Sequence, residues 1–292
     1  MFYLKTKNAL FSSAGLGCAR MTGRLLQSIV HPTDFSPAGL DAFVHALRLA
    51  VAAKGCFYIL HIEGETERAD WVRFPRVRET LATWGMIAPD APRSAVASEL
   101  GLWVEKAIIG SDDPVLGVES FLERHQCDLL VLLTHARAAP QRWFHRSIAE
   151  ATARQAHAAS LFLREGQRGF VDRDTGAISV QRILLPVDGS LPYQYAHQWI
   201  ETFERLAASS SRVHPLHVGP SIPTNANELE GTIEVREGPV VETIISVAAE
   251  IDANIIVMPT AGHRGLLDAL RGSVTERVLR EAPCPVLAIP VT

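Results

Sequence analysis

Short apolar runs without polar alternation recur along this chain, and amphipathic segments lie between them. In the second half the apolar runs cover residues 183–187, 213–218, 232–235, 254–258 and 285–290. Apolar positions at helical spacing occupy residues 240–251 and 273–281. Short strands that are apolar on both faces are typical of parallel sheets covered by helices on both sides. Because crossovers between parallel strands are right-handed, the pattern predicts a doubly wound α/β fold.

The chain also repeats itself. Residues 127–135 match residues 253–261 at an offset of 126, and residues 28–36 match residues 182–190 at an offset of 154. The difference of 28 residues indicates an insertion in the first half, and residues 63–101 are its natural position. We interpret this segment as a helix and a loop that could cover a site as a lid.

The repeat divides the chain into four parts. We expect a disordered extension over residues 1–22, one domain over 23–166, a linker over 167–180 and a second domain over 181–292. The glycines of the linker region favour a flexible connection: Gly166, Gly169 and Gly176.

The fifth strand of each half is apolar and ends its sheet, at residues 160–163 and 285–289. Exposed edges of this kind pair readily with other strands. We predict that the two edges meet antiparallel within one chain, as an intrachain pseudo-dimer, and a further homodimer of whole chains stays open.

Composition narrows the classes of function. The 292 residues carry a formal net charge of −4, with 47% hydrophobic and 21% charged residues, which is typical of globular proteins. Without a basic excess, nucleic acid and anionic membranes are not expected partners. The four cysteines show no Cys-x-x-Cys pair, which favours buried free thiols and a cytoplasmic location: Cys18, Cys56, Cys127 and Cys284.

In a doubly wound sheet, ligands bind beyond the carboxyl ends of the strands. Asp34 follows the first strand of one half and Asp188 that of the other. A carboxylate there can accept hydrogen bonds from an adenine amino group or a ribose hydroxyl. It can equally begin a turn and cap the next helix. Position alone leaves both interpretations open.

A glycine-rich segment follows the fourth strand of the second half. Gly262, Gly265 and Gly272 precede Ser273, which begins a predicted helix. Backbone N–H groups of glycines and of a helix start favour phosphate. Ser273 and Glu276 could instead form a capping box, and such glycine spacing alone is a weak signal.

These segments resemble the universal stress protein family over residues 25–292. Residues 183–190, Ile-Leu-Leu-Pro-Val-Asp-Gly-Ser, are similar to the first strand of that family. Gly262, nine residues and Gly272-Ser273 resemble its Gly-x-x-Gly-(nine)-Gly-Ser/Thr nucleotide loop. Residues 273–280 and 282–286 resemble its last helix and strand.

The resemblance implies two tandem Rossmann-like domains of the adenine nucleotide alpha hydrolase-like class, each a five-stranded parallel sheet with helices on both faces. It implies dimers or tandem pairs, and ATP or a related adenine nucleotide, with Mg²⁺, as the ligand of some members. The cofactor-binding residues that it implies here are Asp188, Val218, Thr260, Gly262, Gly265, Gly272, Ser273 and Val274.

The chain departs from the family's pattern at the nucleotide loop. Pro259, which has no N–H, stands where the first loop glycine belongs, and this argues against tight triphosphate binding. In the first half the glycine positions fall on residues with side chains: Leu133, Ala136 and Arg146. Such side chains would crowd a phosphate. We therefore expect the first site to be lost or repurposed, with Asp34 and Ser147 as fold-building residues.

Three histidines of the first half lie at or near strand ends: His31, His61 and His135. Three converging imidazoles could bind Zn²⁺ at about 2.0–2.1 Å. A structural role is the alternative, and His217 matches His61 in the second half. We expect the structural role and no zinc.

Two classes of function compete. A non-catalytic stress-response module would sense adenine nucleotide and pass the signal on through contacts. An enzyme that cleaves ATP between its α- and β-phosphates would need a Ser-Gly-Gly-x-Asp-Ser type of loop, whereas residues 188–191 read Asp-Gly-Ser-Leu. No nucleophile–base–acid set is evident in the sequence. The binding module is favoured, and a slow ATPase and a ligand-free structural protein of the same fold are the alternatives.

Overall fold

The computed structural model describes residues 3–7, 24–64, 70–134, 152–153, 158–188, 193–221, 233–261 and 274–291. The strands are β1 (Tyr3–Lys7), β2 (Ser28–Pro32), β3 (Cys56–Glu63), β4 (Trp103–Gly110), β5 (Leu129–Thr134), β6 (Ala159–Arg164), β7 (Arg182–Pro186), β8 (Arg212–Val218), β9 (Glu234–Arg236), β10 (Ile255–Ala261) and β11 (Val286–Val291). The helices are α1 (Leu40–Ala53), α2 (Val77–Thr83), α3 (Ala95–Ser98), α4 (Pro114–Leu122), α5 (Gln194–Ala207), α6 (Val240–Glu250) and α7 (Val274–Glu281). Short 3-10 helices cover Pro37–Gly39 and Trp71–Arg73.

All eleven strands belong to one sheet with the order β1-β4-β3-β2-β5-β6-β11-β10-β7-β8-β9. Within each half, five consecutive strands are parallel and follow the order 3-2-1-4-5. The predicted α/β fold with a parallel sheet in each half is confirmed. The two antiparallel contacts are those of β1 with β4 and of β6 with β11.

Strands β6 and β11 join the two halves into this single sheet. They pair antiparallel through three opposed positions: Phe162 with Val286, Leu161 with Leu287, and Ser160 with Ala288. Leu161 and Leu287 are equivalent residues of the repeat, so a pseudo-twofold axis passes through this pair. The prediction that the fifth strands meet antiparallel within one chain is confirmed.

The core has two layers, one on each face of the sheet. One layer contains Phe43 of α1 and Phe203 of α5, which come from different halves. The other contains Phe121 of α4, Ile244 of α6 and Leu279 of α7. Equivalent helices of the two halves therefore cover the same face, and each core layer is continuous across the junction.

Local sequence explains where the helices begin and end. Asp113 caps α4, since its carboxylate accepts the backbone N–H of Val115 at 2.8 Å, and Pro114 is a favourable first helical residue. Helix α1 ends at Lys54, which adopts a left-handed conformation with φ of 50°. In the described part of the chain, none of the helices is long and apolar enough to cross a membrane.

Two segments differ from the predictions made for them. The N-terminal extension was expected to be disordered, but Tyr3–Lys7 adds strand β1 to the edge of the sheet, antiparallel to β4. Main-chain hydrogen bonds to a free edge can order a segment that has no hydrophobic signal of its own. The inserted segment contains two short helices, α2 and α3, where we expected one helix and a loop.

The prediction of free thiols holds for two cysteines and is wrong for a third. Cys127 and Cys284 are free. Burial raises the pKa of the Cys127 thiol well above its usual range and that of Cys284 to about 12. Both thiols are therefore poor nucleophiles. Cys56 is disulfide-bonded.

The predicted linker over residues 167–180 is a hairpin packed against the first domain. Val171 bridges Ile178, and Phe170 is only 2% exposed. The guanidinium of Arg48 in α1 donates to the Gly176 carbonyl at 2.7 Å, and the Trp84 indole donates to the Arg173 carbonyl at 2.8 Å. We call residues 167–180 the docked hairpin.

His45 holds the docked hairpin through Nε2, while its Nδ1 is fixed within its own helix α1. Its Nε2 faces the backbone N–H groups of Phe170 and Val171 at 3.0 and 3.1 Å, so it must act as an acceptor. Its Nδ1 therefore carries the hydrogen and donates to the Asp41 carbonyl at 2.7 Å. This arrangement requires neutral imidazole. Gly169 allows the close approach, since a Cβ there would lie 2.2 Å from the His45 ring.

Burial lowers the pKa of His45 to about 4. The Asp41 carbonyl and carboxylate raise this pKa and the Arg173 guanidinium lowers it further, but burial dominates. Burial also lowers the pKa of His31 to about 4. The unfolded chain takes up these protons near pH 6.5, so the stability that depends on neutral histidine is lost as the pH falls from 6.5 to 4.

We predict that His45→Phe destabilises the protein and flattens this pH dependence. At pH 7.5 the loss should be on the order of 2–4 kcal/mol, because two buried N–H groups lose their acceptor. Between pH 6.5 and 4, the variant should lose less stability than wild type, because the contribution of His45 is absent from it. Urea denaturation at a series of pH values measures both effects. His197→Gln, at an exposed histidine, is the control and should behave as wild type. An unchanged pH slope in His45→Phe would contradict the role of His45.

Candidate functional site

The first and fourth strands of each half diverge at their carboxyl ends and leave a crevice between them. Strands β7 and β10 pair only at Ile255 with Ile183 and Ile256 with Leu184. Strands β2 and β5 likewise pair at only two positions. These crevices lie where the strand order reverses, which is the usual place of a ligand in doubly wound sheets.

The amino ends of the same strands are held together by one side chain in each half. The Asp128 carboxylate accepts the backbone N–H groups of Gln27 and Ser28 at 2.8 and 2.9 Å. Asn254, its equivalent, accepts those of Gln181 and Arg182, both at 2.9 Å. The strands are thus fixed at one end and open at the other.

A histidine at the end of the second strand supports the loop after the first strand in both halves. Nδ1 of His61 donates to the Thr33 carbonyl at 2.8 Å, and Nδ1 of His217 donates to the Val187 carbonyl at 2.9 Å. Each bond fixes the residue immediately before Asp34 or Asp188. This repeated contact assigns His61 and His217 a structural role.

A threonine at the end of the fourth strand has the same role in both halves. The Thr134 hydroxyl donates to the Leu163 carbonyl at 3.3 Å, and the Thr260 hydroxyl donates to the Ile289 carbonyl at 3.1 Å. Thr260 was predicted as a nucleotide contact. Its side chain is only 4% exposed and is engaged by β11, so the hydroxyl is not available for a ligand.

The other described candidates of the second half lie around the β7–β10 crevice. Asp188 follows β7 and is exposed, Val218 is the half-buried last residue of β8, and Val274 is the exposed first residue of α7. Pro259 lies within β10 beyond its last pair with β7, where the ladder needs no donor from it. The predicted residues Gly262, Gly265, Gly272 and Ser273 lie outside the described residues.

The first half differs at the residue after its aspartate. Phe35 has a positive φ of 63°, which is unfavourable for a residue with a side chain. Its ring stacks on His61 with centroids 4.0 Å apart and meets Phe74 edge-on at 4.9 Å. The Arg73 guanidinium lies 4.8 Å from the ring centroid, and Trp71 stacks on Phe74 at 5.3 Å. We call these five residues the aromatic cluster.

The aromatic cluster lies next to the turn that Asp34 forms. Oδ1 of Asp34 accepts the Ser36 N–H at 2.9 Å, which is the turn-forming role. Residues 71–74 come from the insertion, which the second half lacks. The expectation that the first site is lost or repurposed stays a prediction, since Ala136 and Arg146 lie outside the described residues.

His31 closes the crevice of the first half. Its Nδ1 donates to the Val131 carbonyl of the diverging strand β5 at 3.0 Å. The equivalent residue in the second half is Leu185, whose side chain cannot make this bond. No three metal-ligating side chains group together in the part of the chain that the structure describes. His135 lies outside that part, so the three-histidine zinc hypothesis stays untested.

Sequence reasoning missed the aromatic cluster and the role of His31. The signal was present in the repeat, where Phe35 stands opposite Gly189 and His31 opposite Leu185. Phenylalanine in place of glycine, next to an aspartate that was predicted to bind a ligand, indicates that a side chain takes up the space beside that aspartate. The contribution of Phe74 could not be found in this way, because the insertion has no counterpart for comparison.

We predict that Phe35→Gly is more stable than Phe35→Ala, although both are less stable than wild type. Both variants lose the ring contacts of the aromatic cluster. Only alanine keeps the unfavourable positive φ, which should separate the two variants by about 1 kcal/mol. Chemical denaturation measures the difference. The control is Ala249→Gly on the exposed side of α6. There glycine should instead lower the stability of the protein by about 1 kcal/mol. Equal stability of the two Phe35 variants would contradict the backbone argument.

A family model described as the Universal stress protein family matches residues 26–164 and 221–290. Among curated proteins, a universal stress protein of Methanocaldococcus jannaschii is 45% identical over 56 residues, 19% of this chain and 33% of that protein. A universal stress protein of Synechocystis is 46% identical over 59 residues, 20% of this chain and 37% of that protein. The matches thus span little more than a third of these relatives.

Solved structures match over most of the chain. A universal stress protein from Archaeoglobus fulgidus covers 90% of this chain and 98% of its own, with a TM-score of 0.58 and 16% identity. A functionally unknown protein from Pseudomonas aeruginosa covers 91% of this chain and 92% of its own, with a TM-score of 0.59 and 18% identity. With identities of 16% and 18%, these two similarities support a shared fold alone. A universal stress protein in complex with cAMP covers 48% of this chain and 98% of its own, at a TM-score of 0.31 and 20% identity.

Proposed function

This chain is a member of the universal stress protein family, and from that premise we propose that its second half binds ATP or a related adenine nucleotide as a non-catalytic module of the stress response. The proposal rests on the identity of the residue that follows the aspartate of the first strand in each half. Phe35 fills the space beside Asp34, whereas Gly189 has no side chain that could fill the space beside Asp188. The two halves thus share a scaffold and differ at the ligand position.

The scaffold supports definite roles for the residues of the second half. The bond from His217 to the Val187 carbonyl fixes the backbone next to Asp188, whose exposed carboxylate would accept from the adenine or the ribose. Val218 would offer an apolar contact to the base. The segment with Gly262, Gly265, Gly272 and Ser273, together with Val274 at the start of α7, would present N–H groups to the phosphates, whose oxygens would bind the Mg²⁺.

Two alternatives remain within the same family. A slow ATPase would bind in the same place and release ADP or AMP. A ligand-free interaction protein would follow if Pro259, which offers no N–H, prevents phosphate from entering. The expected result is bound nucleotide that is recovered unchanged, and chromatography of the nucleotide after incubation distinguishes turnover from binding.

We predict that Asp188→Ala weakens ATP binding by more than about tenfold, equivalent to 1.4 kcal/mol, whereas Asp34→Ala leaves the affinity unchanged.

In the same way Gly272→Arg should weaken ATP binding by more than about tenfold, because the side chain excludes a phosphate oxygen, and Arg146→Gly should have no effect. Calorimetric titration measures all four variants. Equal losses from both members of a pair would contradict the assignment to the second half. Absence of binding at millimolar ATP in wild type would favour the ligand-free alternative.

The same proposal places the chain in the cytoplasm and makes the intrachain pair its working unit. Strands β6 and β11, the edges best suited to dimerisation, already pair with each other. We therefore predict a monomer of 31.9 kDa by light scattering after size exclusion, with and without ATP. A dimer at micromolar concentration would show that β1, β9 or a helical face forms a further interface.

A further inference from the structure

A second cavity lies in the first half, away from both crevices. It has a volume of about 630 Å³ and is enclosed by the start of α2, by α3 with the residues before it, and by the first residues of β4. Because β4 begins at Trp103, this cavity lies toward the amino end of the sheet, whereas the crevices open at the carboxyl ends. It depends on the insertion, so the second half has no equivalent.

Positive charge dominates the lining of this cavity. Its charged residues are Arg76, Arg78, Arg93, Lys106 and Glu79. The single carboxylate is engaged by a neighbour, since Glu79 pairs with Arg76 at 2.9 Å. We call this site the basic cavity. Four cations against one anion create a local field that attracts anions, although the whole chain carries a net charge of −4.

The basic cavity also offers apolar surface. Its inner wall includes Val77, Val96 and Leu102, which are 7%, 7% and 1% exposed. Trp103 at its rim is 48% exposed and is the only aromatic residue among the exposed large hydrophobic side chains of the described chain. An indole in this position can stack on a planar ring or cover an alkyl group.

One lining residue, Lys106, also contacts residues that lie outside the cavity. The Lys106 ammonium donates to the Pro75 carbonyl at 2.9 Å and lies 5.6 Å from the Phe74 ring centroid. Strand β1 pairs with β4 only from Lys106 onward. Among the described strands, none covers the outer edge of β4 next to Trp103.

We propose that the basic cavity binds a small organic anion that combines an aromatic or apolar body with a phosphate, sulfonate or carboxylate group. The volume falls within the range of about 300–1,000 Å³ that is usual for small-molecule sites. The cations neutralise the anionic group, and the valines, Leu102 and Trp103 bury the body. This site goes beyond the nucleotide site of the second half and does not depend on it.

The test compares two fluorescent probes with the same ring system, anilinonaphthalene sulfonate and the neutral phenylnaphthylamine. Wild type should bind the anionic probe at least about tenfold more tightly than the neutral probe. Arg78→Glu should remove this preference by weakening the anionic probe alone, and Trp103→Ala should weaken both probes. Higher ionic strength should weaken only the anionic probe, because the cations are exposed to solvent.

Controls separate the basic cavity from the nucleotide site and from general effects. Arg124→Glu reverses a charge on another exposed surface and should leave both probes unaffected. Asp188→Ala changes the nucleotide site and should leave the affinities of both probes unchanged. All substitutions are at exposed residues, so thermal midpoints near that of wild type are expected. Equal affinity for the two probes, an unaffected Arg78→Glu variant, or a loss of probe binding in Asp188→Ala would each overturn the proposal.

Discussion

The antiparallel contact between β6 and β11 is the constraint on which the rest of the molecule depends. Each strand would otherwise end its sheet with unpaired N–H and C=O groups, and pairing them joins two five-stranded sheets into one. The axis through Leu161 and Leu287 is perpendicular to the sheet, so it maps each face onto itself. Equivalent helices α1 and α5 therefore share one face and one core layer. Under the same symmetry the strands of the two halves run in opposite directions. The carboxyl ends of the two halves, and with them the two crevices, therefore lie at opposite ends of the strands.

Scaffold contacts are repeated between the halves, and site contacts are not. The Asp128 and Asn254 contacts, the histidine bonds to the loop after the first strand, and the threonine bonds to the fifth strand recur at equivalent positions. Each of them holds one strand end to its neighbour, so its loss would open the sheet. The residue after the aspartate makes no such contact: it is Phe35 in the first half, where the insertion supplies partners for the ring, and Gly189 in the second. The halves thus differ at a position that the repeated scaffold contacts do not involve.

The fold could be predicted from the sequence because its determinants are local and repeated. Apolar runs define the strands, and the internal repeat defines the halves and makes their fifth strands equivalent edges. The role of His45 could not be predicted, because it joins α1 to residues far along the chain. The basic cavity and the contribution of Phe74 could not be predicted, because the insertion has no counterpart in the second half. Glycines and charges favoured a linker at residues 167–180, yet Phe170 and Val180 are buried there. Two apolar residues within a polar segment were the signal that it packs against a domain. The candidate site of the second half was predicted in part, and its glycine loop is known only as sequence.

The difference between the halves has a thermodynamic consequence. A crevice that its own side chains fill contributes stability at all times, whereas an open crevice contributes it only when a ligand binds, by an amount that grows with the logarithm of ligand concentration. The halves share continuous core layers, and His45 fastens the docked hairpin between them, so neither half can unfold without exposing the core of the other. Ligand bound in the second half would therefore stabilise both halves.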